Sequence, residues 1–150
     1  MKTTCIILML LSLLSCKKDE EISVSANKNI AGEMAGHYEY LLKSFDKEIH
    51  VDWDIYRLSD SIISVKSEFS WVTYPGQTTM RSDSIPSIKL TEANKVVFTH
   101  QNNEFKSTLQ PGGYILTSSG ELKGQELTVN LRYSYDKTNG VEHLVKLQKR

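Results

Sequence analysis

The sequence predicts an all-β protein: one antiparallel β-barrel or β-sandwich of about eight strands. Two observations predict it. From Gly36 to the C-terminus, large apolar residues recur at every second position, the period of a strand with one buried and one wet face. Clusters of Gly, Pro, Asn, Asp and Ser break that alternation into short runs, with no stretch of helical period long enough to compete.

Taken in order, the chain opens with Lys2, an apolar run from Ile6 to Leu14 and the charged run Lys17-Lys18-Asp19-Glu20-Glu21. A positive start, a short apolar stretch and small residues before a cut describe a secretory signal. A membrane-spanning helix needs about 20 apolar residues, more than this run holds. Residues 17–30, polar with few large apolars, are expected to form a flexible tether. A single helical turn is expected around Glu33-Met34-Ala35.

The first strand places Tyr38, Tyr40 and Leu42 opposite His37, Glu39 and Leu41, and a turn at 44–47 follows. The next strand is expected to bury Ile49, Val51, Trp53 and Ile55 while His50, Asp52, Asp54 and Tyr56 face water. After a turn at Ser59-Asp60, the alternation continues through Ile63, Val65, Phe69 and Trp71. Tyr74-Pro75-Gly76-Gln77 is a turn signal, because Pro presets one central angle and Gly accepts the other. Residues 78–85 are expected to be a strand with Pro86 at an edge or an end, and 87–93 one short helical turn.

A strand at 96–99 is expected to turn at Asn102-Asn103 and return over 105–110. A further strand starts at Tyr114 and is expected to break at Ser118-Ser119-Gly120. Last comes a long hairpin. Leu127, Val129, Leu131, Tyr133 and Tyr135 share its first inner face, 136–140 make the loop with Asn139-Gly140 suited to positive φ, and Val141, His143, Val145 and Leu147 return.

Four stretches carry resemblances. Leu13-Leu14-Ser15-Cys16 resembles the lipobox of bacterial lipoproteins, which implies cleavage after residue 15 and lipid on the Cys16 thiol. The implied organisation is a signal peptide at 1–15, a lipidated Cys16 with its tether at 16–30, and a β-domain at 31–150. Acyl chains at about 0.8 kcal/mol per buried methylene would moor it to a bilayer. Lys18-Asp19-Glu20 resembles the export signal of Bacteroidota surface lipoproteins, which implies an outer-membrane position facing the medium or the periplasm. Gly36-His37-Tyr38 looks like the Gly-x-aromatic opening of lipocalin-like (calycin-like) barrels, and residues 120–129 resemble the start of a late strand in uncharacterised lipoproteins of gut Bacteroidota. These imply a small envelope barrel. The Thr-Asp-Tyr type motif of true lipocalins is absent.

Charge and cysteine count narrow the function classes. The chain holds 18 basic and 18 acidic residues; losing Lys2 with the signal leaves 17 − 18 = −1. A nucleic-acid binder would carry a basic stripe, so nucleic acid is not an expected partner. Of the two cysteines, Cys5 lies in the signal and Cys16 takes the lipid, so thiol chemistry and disulfides are not expected in the domain. No cofactor is expected, since no phosphate-cradling glycine loop is present. Gly-x-Ser-x-Gly and Ser-x-x-Lys motifs are absent as well.

The candidate site is His50-Val51-Asp52-Trp53-Asp54, which sets His50, Asp52 and Asp54 on one wet strand face. Such a trio could hold a ligand or divalent cation, or work as an acid/base group, or be a plain charged surface. Trp53 and Trp71 are expected in the core; Tyr56 and Tyr74 suit the surface. The expected function is a non-enzymatic envelope module binding a small apolar ligand, a glycan or a partner protein. The alternatives are an inhibitor or accessory subunit of an outer-membrane complex, and a hydrolase using His50, Asp52 and Asp54.

Overall fold

A computed structural model describes residues 29–73, 76–91, 94–104, 112–135 and 140–150. The signal, Cys16 and most of the tether lie outside the described residues. One short helix, α1 (Ile30–Met34), precedes eight strands. These are β1 (Gly36–Lys43), β2 (Lys47–Arg57), β3 (Ile62–Thr73), β4 (Gln77–Lys89), β5 (Lys95–Asn102), β6 (Tyr114–Lys123), β7 (Glu126–Ser134) and β8 (Gly140–Lys149). They form one antiparallel sheet in the order β4-β3-β2-β1-β8-β7-β6-β5, curled into a nearly closed barrel.

Each half of the barrel is a meander of sequence neighbours, and the two halves meet where β1 pairs β8. That pairing is short: Tyr38 with Lys149 and Glu39 with Gln148. On the far side β4 and β5 are the two ends of the sheet, and among the described residues no backbone ladder joins them. β4 carries Pro86 and two inward-pointing charges, Arg81 and Asp83, features that discourage pairing with a foreign strand.

The core follows the alternation. Val51, Trp53, Ile63, Leu116, Leu127, Leu131 and Leu147 are fully buried from five different strands. Helix α1 plugs one end. Asn29 caps it through Oδ1, which accepts from the Gly32 N–H at 2.8 Å, so the helix starts at the end of the expected tether, ahead of the turn expected at residues 33–35. Ala31 and Met34 are buried beneath the strands, and the Tyr38 hydroxyl donates to the Met34 carbonyl at 2.8 Å.

The Gly-x-aromatic opening has a local physical reason. Gly36 sits at φ +146°, which side-chain-bearing residues rarely adopt, and a Cβ there would lie 2.6 Å from Lys149 Cε. That lysine runs on to donate to the Glu33 carbonyl at 2.9 Å, with its ammonium 5.6 Å from the centre of the Tyr38 ring.

Several local expectations are corrected. Ser87, Ile88 and Lys89 remain strand, not a helical turn, because Ile88 is buried opposite Ile63; the register jump between Ile63 and Val65 absorbs Pro86. Asn102 is the last residue of β5, not a turn, and it pairs with Tyr114. The strand that pairs β5 is therefore β6; the expected return over 105–110 lies outside the described residues, as does the Asp136–Asn139 part of the last hairpin loop. β6 also runs straight through Ser118-Ser119-Gly120. Ser118 points inward, and Gly120 lets β7 come close, since a Cβ there would sit 2.5 Å from the Thr128 carbonyl. Gly120→Ala is expected to cost about 2 kcal/mol by overpacking, measured by urea unfolding; a neutral result would mean the two strands separate freely.

Candidate functional site

The sequence-predicted trio lies where expected, on the outer face of β2, but it does not converge. Residues two apart on a strand are about 7 Å apart, so three consecutive outward side chains spread over about 13 Å. They pair instead with neighbours. His50 Nε2 is 3.1 Å from Asp52 Oδ2. Asp54 is held by His37 of β1, whose Nδ1 is 2.8 Å from Asp54 Oδ1, because the register sets His37 opposite Asp54. His37 Nε2 also lies 3.8 Å from Asp52 and from Glu39. The result is a ladder of alternating imidazoles and carboxylates. Among the described residues no group of three His, Cys, Asp and Glu side chains is arranged to hold a metal ion.

The hydrogen bond to Asp54 raises the His37 pKa above its ordinary value; burial opposes this, and the charges of Asp54, Asp52 and Glu39 add to it. His37 therefore contributes stability that is complete below its unfolded pKa, about 6.5, and is lost as pH rises through the higher folded value. Asp54→Asn is expected to bring the His37 titration midpoint, followed by NMR, back toward that of a free imidazole. An unmoved midpoint would remove Asp54 as the cause.

His50 and Asp52 also line a half-open groove of about 640 Å³ over β2, β3 and β4, which reaches inward to Phe69, Arg81 and Tyr114. Ser70 and Ser82 share its floor, and Asn102 and Glu104, at the end of β5, close it from the side. That volume is within the range of small-molecule sites, about 300–1,000 Å³.

A second cluster lies inside the barrel, in the half away from α1. Arg81 is buried and stacked among aromatic rings, its guanidinium carbon 4.3 Å from the Tyr133 ring centre, 5.3 Å from Phe69 and 5.6 Å from both Tyr114 and Tyr135. It donates through Nη2 to the Tyr135 hydroxyl. Asp83, two residues on, is 2% exposed. It accepts from the Tyr114 hydroxyl at 2.6 Å and from Asn102 Nδ2 at 3.1 Å, and His100 Nε2 stands 3.5 Å away. Asn102 Nδ2 also donates to the Ser82 carbonyl at 3.0 Å. Side chains of β5 and β6 thus clasp β4 where no backbone ladder does.

Among the described residues the buried polar atoms without a hydrogen-bond partner include Tyr133 OH, Trp71 Nε1 and His143 Nε2 in this half, and Trp53 Nε1, Ser67 Oγ and Ser118 Oγ elsewhere in the interior. The first three belong to one run of rings, with Phe69 centred 5.4 Å from Tyr133 and 5.2 Å from His143, and Trp71 5.8 Å from His143. Burial pushes the Tyr133 phenol far above its ordinary pKa, so it stays protonated. Burial, together with the charges of Arg81 and Lys47, holds the His143 imidazole below its ordinary value. The opposite end of the barrel buries Trp53, Ile55, Ile63, Val65 and Leu127, together with the Ser67 hydroxyl opposite Trp53.

Sequence reasoning placed neither Arg81 nor Asp83, because charged residues on a strand are assigned to water by default. The available signal was the register: Phe69, an inward residue of β3, pairs with Arg81. No known family model matches the chain, and no curated protein matches it, so the geometry alone carries the functional argument.

Proposed function

We propose that the chain is a lipid-anchored envelope β-barrel of the lipocalin-like kind that binds a small ligand in the half of its interior away from α1. The carrying observation is the group of buried, unpartnered polar atoms at Tyr133, Trp71 and His143. A buried polar group without a partner costs about 1–3 kcal/mol, and native interiors hold few of them, so three along one run of rings favour a bound partner. An eight-stranded barrel has an interior that side chains fill or that holds one small ligand. Helix α1 enters at the closed end, so a lipid on Cys16 would tether the barrel from that end.

The proposed role is binding, not catalysis. A hydrolase built on His50, Asp52 and Asp54 would need the three to converge, whereas His50 pairs with Asp52 along β2 and Asp54 with His37 of β1. Native mass spectrometry of the full chain incubated with a small-molecule library tests the interior site. A retained adduct that Tyr133→Trp abolishes supports it, and no adduct with any compound overturns it. Mass spectrometry of the envelope form tests the anchor: an unmodified Cys16 still joined to residues 1–15 would remove it.

The outer groove supports a second reading, glycan binding, since His50, Asp52, Ser70, Ser82 and Asn102 offer both donors and acceptors to hydroxyl groups. Glycan-array binding lost on His50→Ala with Asp52→Asn would select it over the interior site.

A further inference from the structure

We infer that the β1–β2 hairpin is a membrane contact: Phe45 at its tip enters the interfacial layer of the bilayer that holds the anchor. This rests on the lipid-anchored reading above and adds which end of the barrel lies against the lipid.

The hairpin stands apart from the strand beside it. Among the described residues β1 pairs with β8 only at Tyr38 and Glu39, whereas its ladder with β2 runs on to Lys43 and Glu48. The far half of β1 therefore projects with a paired strand on one side alone. That half carries Leu41 and Leu42, both exposed, and leads to Phe45, which is fully exposed. A tight turn ordinarily takes small or polar residues, and a phenylalanine there leaves its whole ring in water. The turn is braced in that shape. The Ser44 N–H donates to the Lys47 carbonyl at 2.9 Å, and the Ser44 hydroxyl donates to Asp46 Oδ1 at 2.7 Å. Carried on, the β1–β8 register sets Lys43 level with Leu144, a further exposed leucine.

Charge and reach identify the occupant. The tip holds Lys43, Asp46, Lys47 and Glu48, cations and anions in balance, with Lys43 Nζ 3.3 Å from Glu48. It offers no single sign to a charged protein or an anionic surface. Mixed charges around an apolar tip match zwitterionic headgroups over acyl chains. Residues 17–28 separate Cys16 from the cap of α1, and a chain of that length extends to about 40 Å, against about 26 Å for β1. The hairpin can therefore reach the bilayer that holds the anchor, although the chain enters the barrel at the other end. Tethering sets the local concentration of the tip at that surface near about millimolar, so one aromatic and two leucines suffice to orient the barrel.

The test is tryptophan quenching in the full chain reconstituted in phosphatidylcholine vesicles, with and without bromine on the acyl chains. Phe45→Trp probes the tip and Leu58→Trp the turn beside α1; both positions are exposed, so neither change disturbs the core. Phe45→Trp is expected to emit at shorter wavelength and to lose most of its added emission to bromine, and Leu58→Trp to do neither. If Leu58→Trp is quenched as strongly as Phe45→Trp, or if neither is, the inference is overturned while the anchor stands on the lipid that mass spectrometry finds at Cys16. A Phe45→Trp shift that bromine does not quench, and that fades as protein is diluted in the vesicles, assigns the tip to a second copy and overturns it too. If Cys16 carries no lipid, the anchor falls, and vesicles added to that chain decide the tip alone: quenching of Phe45→Trp sustains the contact, and its absence ends it.

Discussion

Replacing Asp83 with Ala is expected to cost about 3 kcal/mol of stability and to loosen one seam of the barrel selectively. The carboxylate is the shared acceptor for the Tyr114 hydroxyl and the Asn102 amide, with His100 beside it, and these come from β6 and β5. Removing it leaves buried donors without an acceptor and a buried guanidinium near a lost anion. Every other adjacent strand pair keeps a backbone ladder, so the damage should concentrate at β4 and β5. Chemical unfolding gives the magnitude, and amide exchange gives the location. Asp83→Asn keeps one acceptor oxygen and should lose much less. A loss below about 1 kcal/mol for Asp83→Ala, or faster exchange spread evenly over all strands, would show that the clasp does not hold the seam.

Trp53→Ala is expected to be at least as damaging, at about 4 kcal/mol. The side chain is fully buried near the closed end and packs against Phe98, ring centres 6.1 Å apart, which ties β2 to β5 across the barrel. Truncation removes a large apolar surface and leaves a cavity that the surrounding strands cannot fill without breaking register. Trp53→Phe should cost no more than about 1.5 kcal/mol, because the lost indole N–H has no hydrogen-bond partner to strand. With total stabilities of about 5–15 kcal/mol for domains in general, the Ala variant should lose a large part of its unfolding midpoint in urea. Equal losses for the two variants would point to an unseen polar role for the indole.

The two variants probe different halves of one interior, and those halves were unequally legible. Around Trp53 every cue agreed: Ile49, Val51, Trp53 and Ile55 alternate in one strand, Leu127, Val129, Leu131 and Tyr133 in another, and all are buried. Around Asp83 the cues conflicted. In β4 the large apolar Met80 is 65% exposed while the neighbouring Arg81 is 7% exposed, the reverse of what hydrophobicity alone assigns. Pairing decides it. Val65 and Phe69 are inward on β3, so their partners Ile85 and Arg81 must be inward on β4, because a slip of one residue would flip the whole strand.

The candidate site shows the same division. His50 and Asp52 were visible as a pair because they lie two apart on one strand. His37 was not, since it reaches Asp54 only through the register of β1 on β2. The seam residues His100, Asn102 and Tyr114 are further still from Asp83 along the chain, and nothing local marks them as its partners.

What the residues determined unaided is the all-β class, the number of strands and most of the core, because side-chain alternation and turn chemistry are properties of short segments. The tertiary structure alone decided which edges stay unladdered, which charges turn inward and which rings gather around them. Those depend on pairings between distant segments, where the packing of one strand overrules the preferences of the next.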